Sequence, residues 1–258
     1  MPEVRNGDVT LHVEVDGAGE PVTILAHGLT NSCRELAPFT PSLTGTAVRF
    51  CFRGHGHSSA PDHGYRFEDL ASDLDAVARA YGARNAVGTS MGAGAIMSLL
   101  EHDPTRFERI VMLLPASLDL PFTNPERFDG IADLLESYPK GEAIDRILEM
   151  SRERYEGAPW LRELDLLLWE DMNPVGVARA IREVVRDVSI SDRELLRKVD
   201  APVLLICREG DSIHPAALGR ILHELFPNSE LVTLGSEEEL IASIPMLVER
   251  VRSFLEGA

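Results

Sequence analysis

The residues of this chain with the clearest chemical potential are Gly88-Thr89-Ser90-Met91-Gly92, a G-x-S-x-G run. An apolar strand-like segment, residues 85–87, leads into it, and a helix-like run follows from Met91. In a strand–turn–helix setting the turn forces the serine into a strained backbone geometry. The flanking glycines are required because side chains there would collide with the adjoining strand and helix. Ser90 is thereby lifted clear at the positive end of a helix, where a nucleophile would sit. Upstream, residues 24–26 end in His27-Gly28-Leu29. Such a loop can present the Leu29 N–H toward an oxyanion, opposite the N–H of Met91.

These residues need a scaffold, and the hydropathy pattern supplies one. Short apolar runs at residues 22–26, 48–52, 85–87, 110–114, 203–207 and 231–234 alternate with longer segments of helical period. Examples of the latter are 67–81, 91–100, 215–225 and 245–255. That alternation predicts an α/β fold, a mostly parallel twisted sheet with helices on both faces. Residues 110–114 and 203–207 are apolar throughout, as strands covered on both faces must be. Residues 120–200 break the pattern. They hold no strand candidate and about five amphipathic segments, so they read as a helical lid inserted into a core of residues 1–119 and 201–258. The insertion carries both tryptophans, Trp160 and Trp169, beside Leu166-Leu167-Leu168.

With 258 residues, 42 acidic against 25 basic, the net charge is −17. Such a balance excludes a protein that neutralises nucleic-acid phosphates or docks on an anionic membrane. No apolar run reaches the roughly 18 residues of a spanning helix, and the N-terminus lacks a secretory pattern. A soluble, cytoplasmic protein acting on a small molecule is expected. A homo-oligomer is compatible with the pattern but not specified by it. Cys33, Cys51 and Cys207 are too scattered for a disulfide framework, and no His, Asp or Glu cluster has metal-ligand spacing, so no metal and no cofactor are expected.

Two further segments complete a recognisable order. Arg53-Gly54-His55-Gly56 follows the third main strand, and Gly210-Asp211-Ser212-Ile213-His214-Pro215 follows residues 203–207. With the elbow and His27-Gly28, they resemble the α/β-hydrolase superfamily, specifically its small lidded esterase and haloperoxidase-like members. The resemblance covers nearly the whole chain and is least informative in the lid. It implies Ser90 as nucleophile, Asp211 as triad acid, and Leu29 and Met91 as oxyanion donors. His27 and the Arg53–Gly56 loop match features that shape the floor of the site.

The same resemblance exposes a gap. The family's histidine follows the last strand, in a loop reading like P-G-x-G-H, about seven residues before a proline that opens the final helix. Here that loop reads Leu234-Gly235-Ser236-Glu237-Glu238-Glu239, then Pro245, and the last histidine of the chain is His223. Counting places Glu238 where the base should stand. In serine proteases, deleting the base costs on the order of 10⁶ in turnover. A carboxylate starts about 2 pKa units below histidine, roughly 3 kcal/mol less driving force. Glu238 is therefore the expected, weak, third catalytic group, with a displaced His214 or His57 as the other possible bases. His214 also reads more plainly as a loop histidine beside the site, and with His27, Trp160 and Trp169 it forms the expected substrate-binding set.

The expected function is hydrolysis of a carboxylic ester, thioester or lactone through Ser90. Two alternatives stand beside it: a small-molecule-binding protein with an impaired site, and a proton-transfer or lyase enzyme that does not use the serine covalently.

Overall fold

The computed structural model describes residues 2–122, 125–156 and 158–257. Eight strands form one sheet: β1 (Glu3–Asn6), β2 (Val9–Gly17), β3 (Val22–Ala26), β4 (Thr46–Phe50), β5 (Asn85–Thr89), β6 (Arg109–Leu113), β7 (Val203–Arg208) and β8 (Ser229–Leu234). Their order is β1-β2-β4-β3-β5-β6-β7-β8. β2 runs antiparallel to both its neighbours and every other pair is parallel. The expected α/β architecture is the observed one. β1 lacks a periodic signal of its own, because a four-residue edge strand is held by pairing with β2.

β3 is buried at all five positions, β6 and β7 at all but one terminal position each, matching their apolar sequences. Helices α1 (Phe67–Tyr81), α2 (Met91–His102) and α8 (Ala216–Leu225) cover one face. The C-terminal α10 (Ile244–Glu256) covers the other, burying Leu247, Val251, Phe254 and Leu255 against Leu25, Val87, Val111 and Leu204. α1 shows why sequence becomes structure locally. Leu70, Leu74 and Val77 repeat on its inner face, Asp69 closes a capping box at its start, and left-handed Gly82 ends it.

Between β6 and β7 the described residues hold five α-helices and no strand: α3 (Glu126–Ser137), α4 (Lys140–Met150), α5 (Arg152–Glu156), α6 (Trp160–Leu168) and α7 (Pro174–Val184). They bury a core of their own around Ile144, Leu148, Leu161, Val177 and Ile181. The insertion is tied down at defined points. Gly176 of α7 lies so close to Gly54 that an added Cβ would stand 2.1 Å from its carbonyl oxygen. Asp187 accepts from the N–H of Phe67 at 2.8 Å, and Arg154 pairs with Glu237 at 2.8 Å. Glu237 opens α9 (Glu237–Ala242), so one helix of the insertion is anchored to the segment after the last strand.

Candidate active site

Four loops meet beyond the carboxyl ends of β3, β5, β6 and β7, the edge at which parallel α/β sheets build their sites. β5 delivers Ser90 with φ +50° and ψ −107°, a strained conformation for a residue other than glycine. Its backbone N–H is tied to Leu113 O at 2.9 Å. The glycines of the elbow are sterically enforced. A Cβ on Gly92 would stand 2.1 Å from Ala26 O, and one on Gly88 would stand 2.7 Å from the backbone of Gly92. No other residue type fits where strand, turn and helix cross this closely.

β7 delivers both other members of a hydrogen-bonded chain from one short loop. The backbone N–H groups of Ile213 and His214 donate to Asp211 Oδ1 at 2.8 and 3.0 Å. That turn brings the His214 ring back over its own loop. Nδ1 meets Asp211 Oδ2 at 3.1 Å and Nε2 meets Ser90 Oγ at 3.0 Å. Arg208 also donates to Asp211 Oδ2, at 2.6 Å. Burial works against ionisation of Asp211. The bond to His214, its charge, and the two backbone N–H groups outweigh that and hold the carboxyl well below the usual range. An ionised Asp211 can only accept, so His214 carries its proton on Nδ1 and leaves the Nε2 lone pair to the serine hydroxyl.

This geometry does not bring Glu238, the expected base, to Ser90. Glu238 is exposed in the first turn of α9. Hydrogen bonds within that turn lower its carboxyl, and Ser90 and His214 are not among its partners. Its segment is occupied in capping: Ser236 accepts from the Glu239 N–H and Glu239 accepts from the Gly235 N–H. His57 lies 3.7 Å from Asp171 and edge-on to His12, and belongs to that cluster. The signal for His214 is the D-x-x-H spacing. A carboxylate that accepts the N–H groups two and three residues ahead returns the third side chain to its other oxygen.

Met91, the first residue of α2, has an N–H with no intrahelical partner by construction. With Leu29 it lines a cavity of about 200 Å³ at Ser90. The loop that carries Leu29 bends through Thr30 at φ +73°. Glu35 holds it: its carboxylate accepts from Gly28 N–H at 2.6 Å and from Asn31 Nδ2 at 2.7 Å. Glu35 carried no signal in the sequence, since it enters no motif. Burial raises its carboxyl to about 7, against the opposing effect of the Gly28 N–H and the Asn31 amide.

The remaining expected binding residues stand elsewhere. His27 is fully buried beneath the site, its Nδ1 on Gly28 O at 2.7 Å and its Nε2 accepting from Phe52 N–H at 3.0 Å. Burial and neighbouring His55 hold it well below the ordinary histidine range, so it is a neutral brace. In the adjoining loop, Arg53 forms a buried pair with Asp73 at 2.7 Å, which is equally structural. Trp169 packs into the core of the insertion, and Trp160 is 47% exposed on α6. Neither lines the cavity. Its apolar wall comes instead from Phe67, Phe122, Phe128 and Val184, residues of four separate segments.

Among the described residues one group of metal-type donors comes together, His12, Glu14 and Cys33, with ligand atoms within 4.8 Å of one another. Arg49 pairs with Glu14 at 2.8 Å and donates to Cys33 O at 3.1 Å, placing a permanent cation where a metal ion would be repelled. No described helix is long and apolar enough to cross a membrane.

Comparison with known proteins agrees with this architecture. A family model described as alpha/beta hydrolase fold matches residues 21–241. AB hydrolase superfamily protein YisY of Bacillus subtilis is 26% identical over 243 residues, 88% of each chain. Pyrrolizixenacetamide deacetylase of Xenorhabdus hominickii is 25% identical over 251 residues, 91% of this chain and 90% of that protein. Among solved structures, an enol-lactonase from Burkholderia xenovorans superposes with a TM-score of 0.83 over 99% of this chain and 100% of its own, at 23% identity.

Proposed function

The chain belongs to the α/β-hydrolase family, and on that premise we propose that it hydrolyses a small carboxylic ester, thioester or lactone through Ser90, with His214 as base and Asp211 as its orienting acid. One observation carries the reading: the unbroken path from Asp211 Oδ2 through His214 to Ser90 Oγ, at 3.1 and 3.0 Å. A serine hydroxyl becomes a competent nucleophile when an adjacent base takes its proton, and base and acid here stand within hydrogen-bond reach. A deacetylase and a hydrolase are among the relatives, which supports a hydrolytic activity.

In the first step Ser90 Oγ attacks the carbonyl carbon as its proton passes to His214 Nε2. The N–H groups of Leu29 and Met91 hold the resulting oxyanion. The tetrahedral adduct collapses to an acyl-serine, and imidazolium His214 returns the proton to the departing alcohol or thiol. Water, deprotonated by the same imidazole, then releases the acid and regenerates Ser90. The depressed Asp211 carboxyl stays ionised throughout and stabilises the imidazolium.

The test is intact-mass spectrometry after brief exposure to a fluorophosphonate, with Ser90→Ala as control. Rapid single labelling that disappears in Ser90→Ala and becomes slow in His214→Ala supports the reading. An inert wild-type serine over hours removes the hydrolase assignment and leaves a binding protein.

A further inference from the structure

The lining of the cavity at Ser90 is of two unlike kinds: the apolar side chains of Phe67, Phe128 and Val184, and the polar side chains of Glu35 and Asn31. An ideal Cβ on Gly28 would stand 3.4 Å from both carboxylate oxygens of Glu35 and 3.6 Å from Ser90 Cβ. Those two contacts, end to end, bound the distance from the carboxylate to Ser90 Cβ at about 7 Å. Asn31 turns its amide nitrogen to Glu35, which leaves its Oδ1 buried with no hydrogen-bond partner. A carboxylate in the cavity lining is an acceptor that a charged donor satisfies best.

Among the described residues, none that lines the cavity or bonds to Glu35 supplies the matching charge. Glu35 accepts only from neutral groups, the Gly28 N–H and the Asn31 amide, and no Lys or Arg is among the described residues lining the cavity. Arg34, its neighbour in sequence, is committed to Glu170 and Asp171. The carboxyl's elevated pKa of about 7 reports the same lack of compensation. A net charge of −17 further enriches cations and depletes anions near the chain.

Building on the hydrolase reading, we infer that the site selects esters carrying a protonated amine a few bonds from the reacting carbonyl, the ammonium docking on the Glu35 carboxylate. Glu35 is then the specificity-determining residue. It discriminates against neutral isosteres by leaving its carboxylate without a counter-charge and against anionic ones by direct repulsion.

The experiment uses isosteric probes at pH 8. On the acyl side these are β-alanine ethyl ester, ethyl butanoate and monoethyl malonate, which place an ammonium nitrogen, a methyl carbon and a carboxylate oxygen at one position. On the alcohol side they are 2-(dimethylamino)ethyl acetate and 3-methylbutyl acetate. Two quantities are read: kcat/KM with wild-type protein, and Kd by calorimetry with Ser90→Ala. We expect the ammonium probe of at least one pair to exceed its neutral isostere about tenfold in both, and monoethyl malonate to rank last. Glu35→Gln keeps the size of the side chain and an acceptor for Gly28 N–H, and should collapse the ammonium-to-neutral ratio toward one. If Glu35→Gln does not fold, the wild-type order alone decides. Equal treatment of all probes, or a preference for the anion, overturns the inference while the hydrolase reading stands. If wild type hydrolyses none of them, fluorophosphonate labelling decides the hydrolase reading, and the Kd order with Ser90→Ala still decides whether Glu35 binds ammonium in the cavity.

Discussion

His214 leaves the same turn as Asp211 and folds back onto it, Nδ1 to Oδ2 at 3.1 Å, so acid and base of the candidate triad are three residues apart in one loop. The Asp211 oxygen opposite that contact accepts the N–H groups of Ile213 and His214. The carboxylate therefore both orients the base and shapes the backbone that carries it.

Replacing His214 by alanine should lower kcat for any hydrolysed ester by about 10⁴–10⁶, the range found when the base of a serine nucleophile is deleted. Glu238→Gln, in an exposed helical turn, should leave kcat within about twofold. Steady-state kinetics on both variants checks this, and the reverse ranking would return the base to Glu238.

Asp211→Asn should cost about 10⁴ in kcat, because an amide can donate to Nδ1 and stabilise the wrong imidazole tautomer. It also discards the ion pair with Arg208 at 2.6 Å, which loosens the loop. The diagnostic measurement is the fluorophosphonate labelling rate, expected to fall in parallel with kcat. A large kcat effect with unchanged labelling would separate Asp211 from activation of Ser90.

Glu35 makes stability depend on pH with a definite sign. Its carboxyl in the folded protein sits at about 7, above the 4.5 of a free glutamate side chain, so the folded state binds its proton more tightly. This contribution is greatest below about 4.5 and is lost as pH rises through 7. Glu35→Gln carries no charge to desolvate. Its melting temperature relative to wild type should be higher at pH 8 than at pH 5, by about 3 °C or more. Scanning calorimetry of both proteins at the two pH values tests it, and a pH-independent difference would contradict the burial argument.

Gly92→Ala should destabilise by about 3 kcal/mol or more, or prevent folding, since its Cβ would stand 2.1 Å from Ala26 O. Gly141→Ala, with no atom within 4 Å of its added Cβ, should be neutral or stabilise by up to about 1 kcal/mol. Denaturant midpoints compare the two.

Much of this molecule is legible without coordinates, for reasons that are local. The nucleophile turn is set by steric limits within five residues, Gly88 to Gly92, and the buried strands by predominantly apolar composition at 22–26 and 203–207. The exposed serine follows from the same short-range geometry. The group that faces it did not, because the segment after the last strand, at Glu238, is engaged in capping a helix through Ser236 and Glu239 instead. Nor did the cavity, whose wall draws Phe67 from α1, Phe128 from α3 and Val184 from α7. Sequence by itself determined the strands of the sheet and the elbow, since each depends on neighbours along the chain. Which side chain faces Ser90, and that Glu35 lines the pocket beside it, depend on distances between Ser90 and segments far from it in sequence, and only the packed fold decides those.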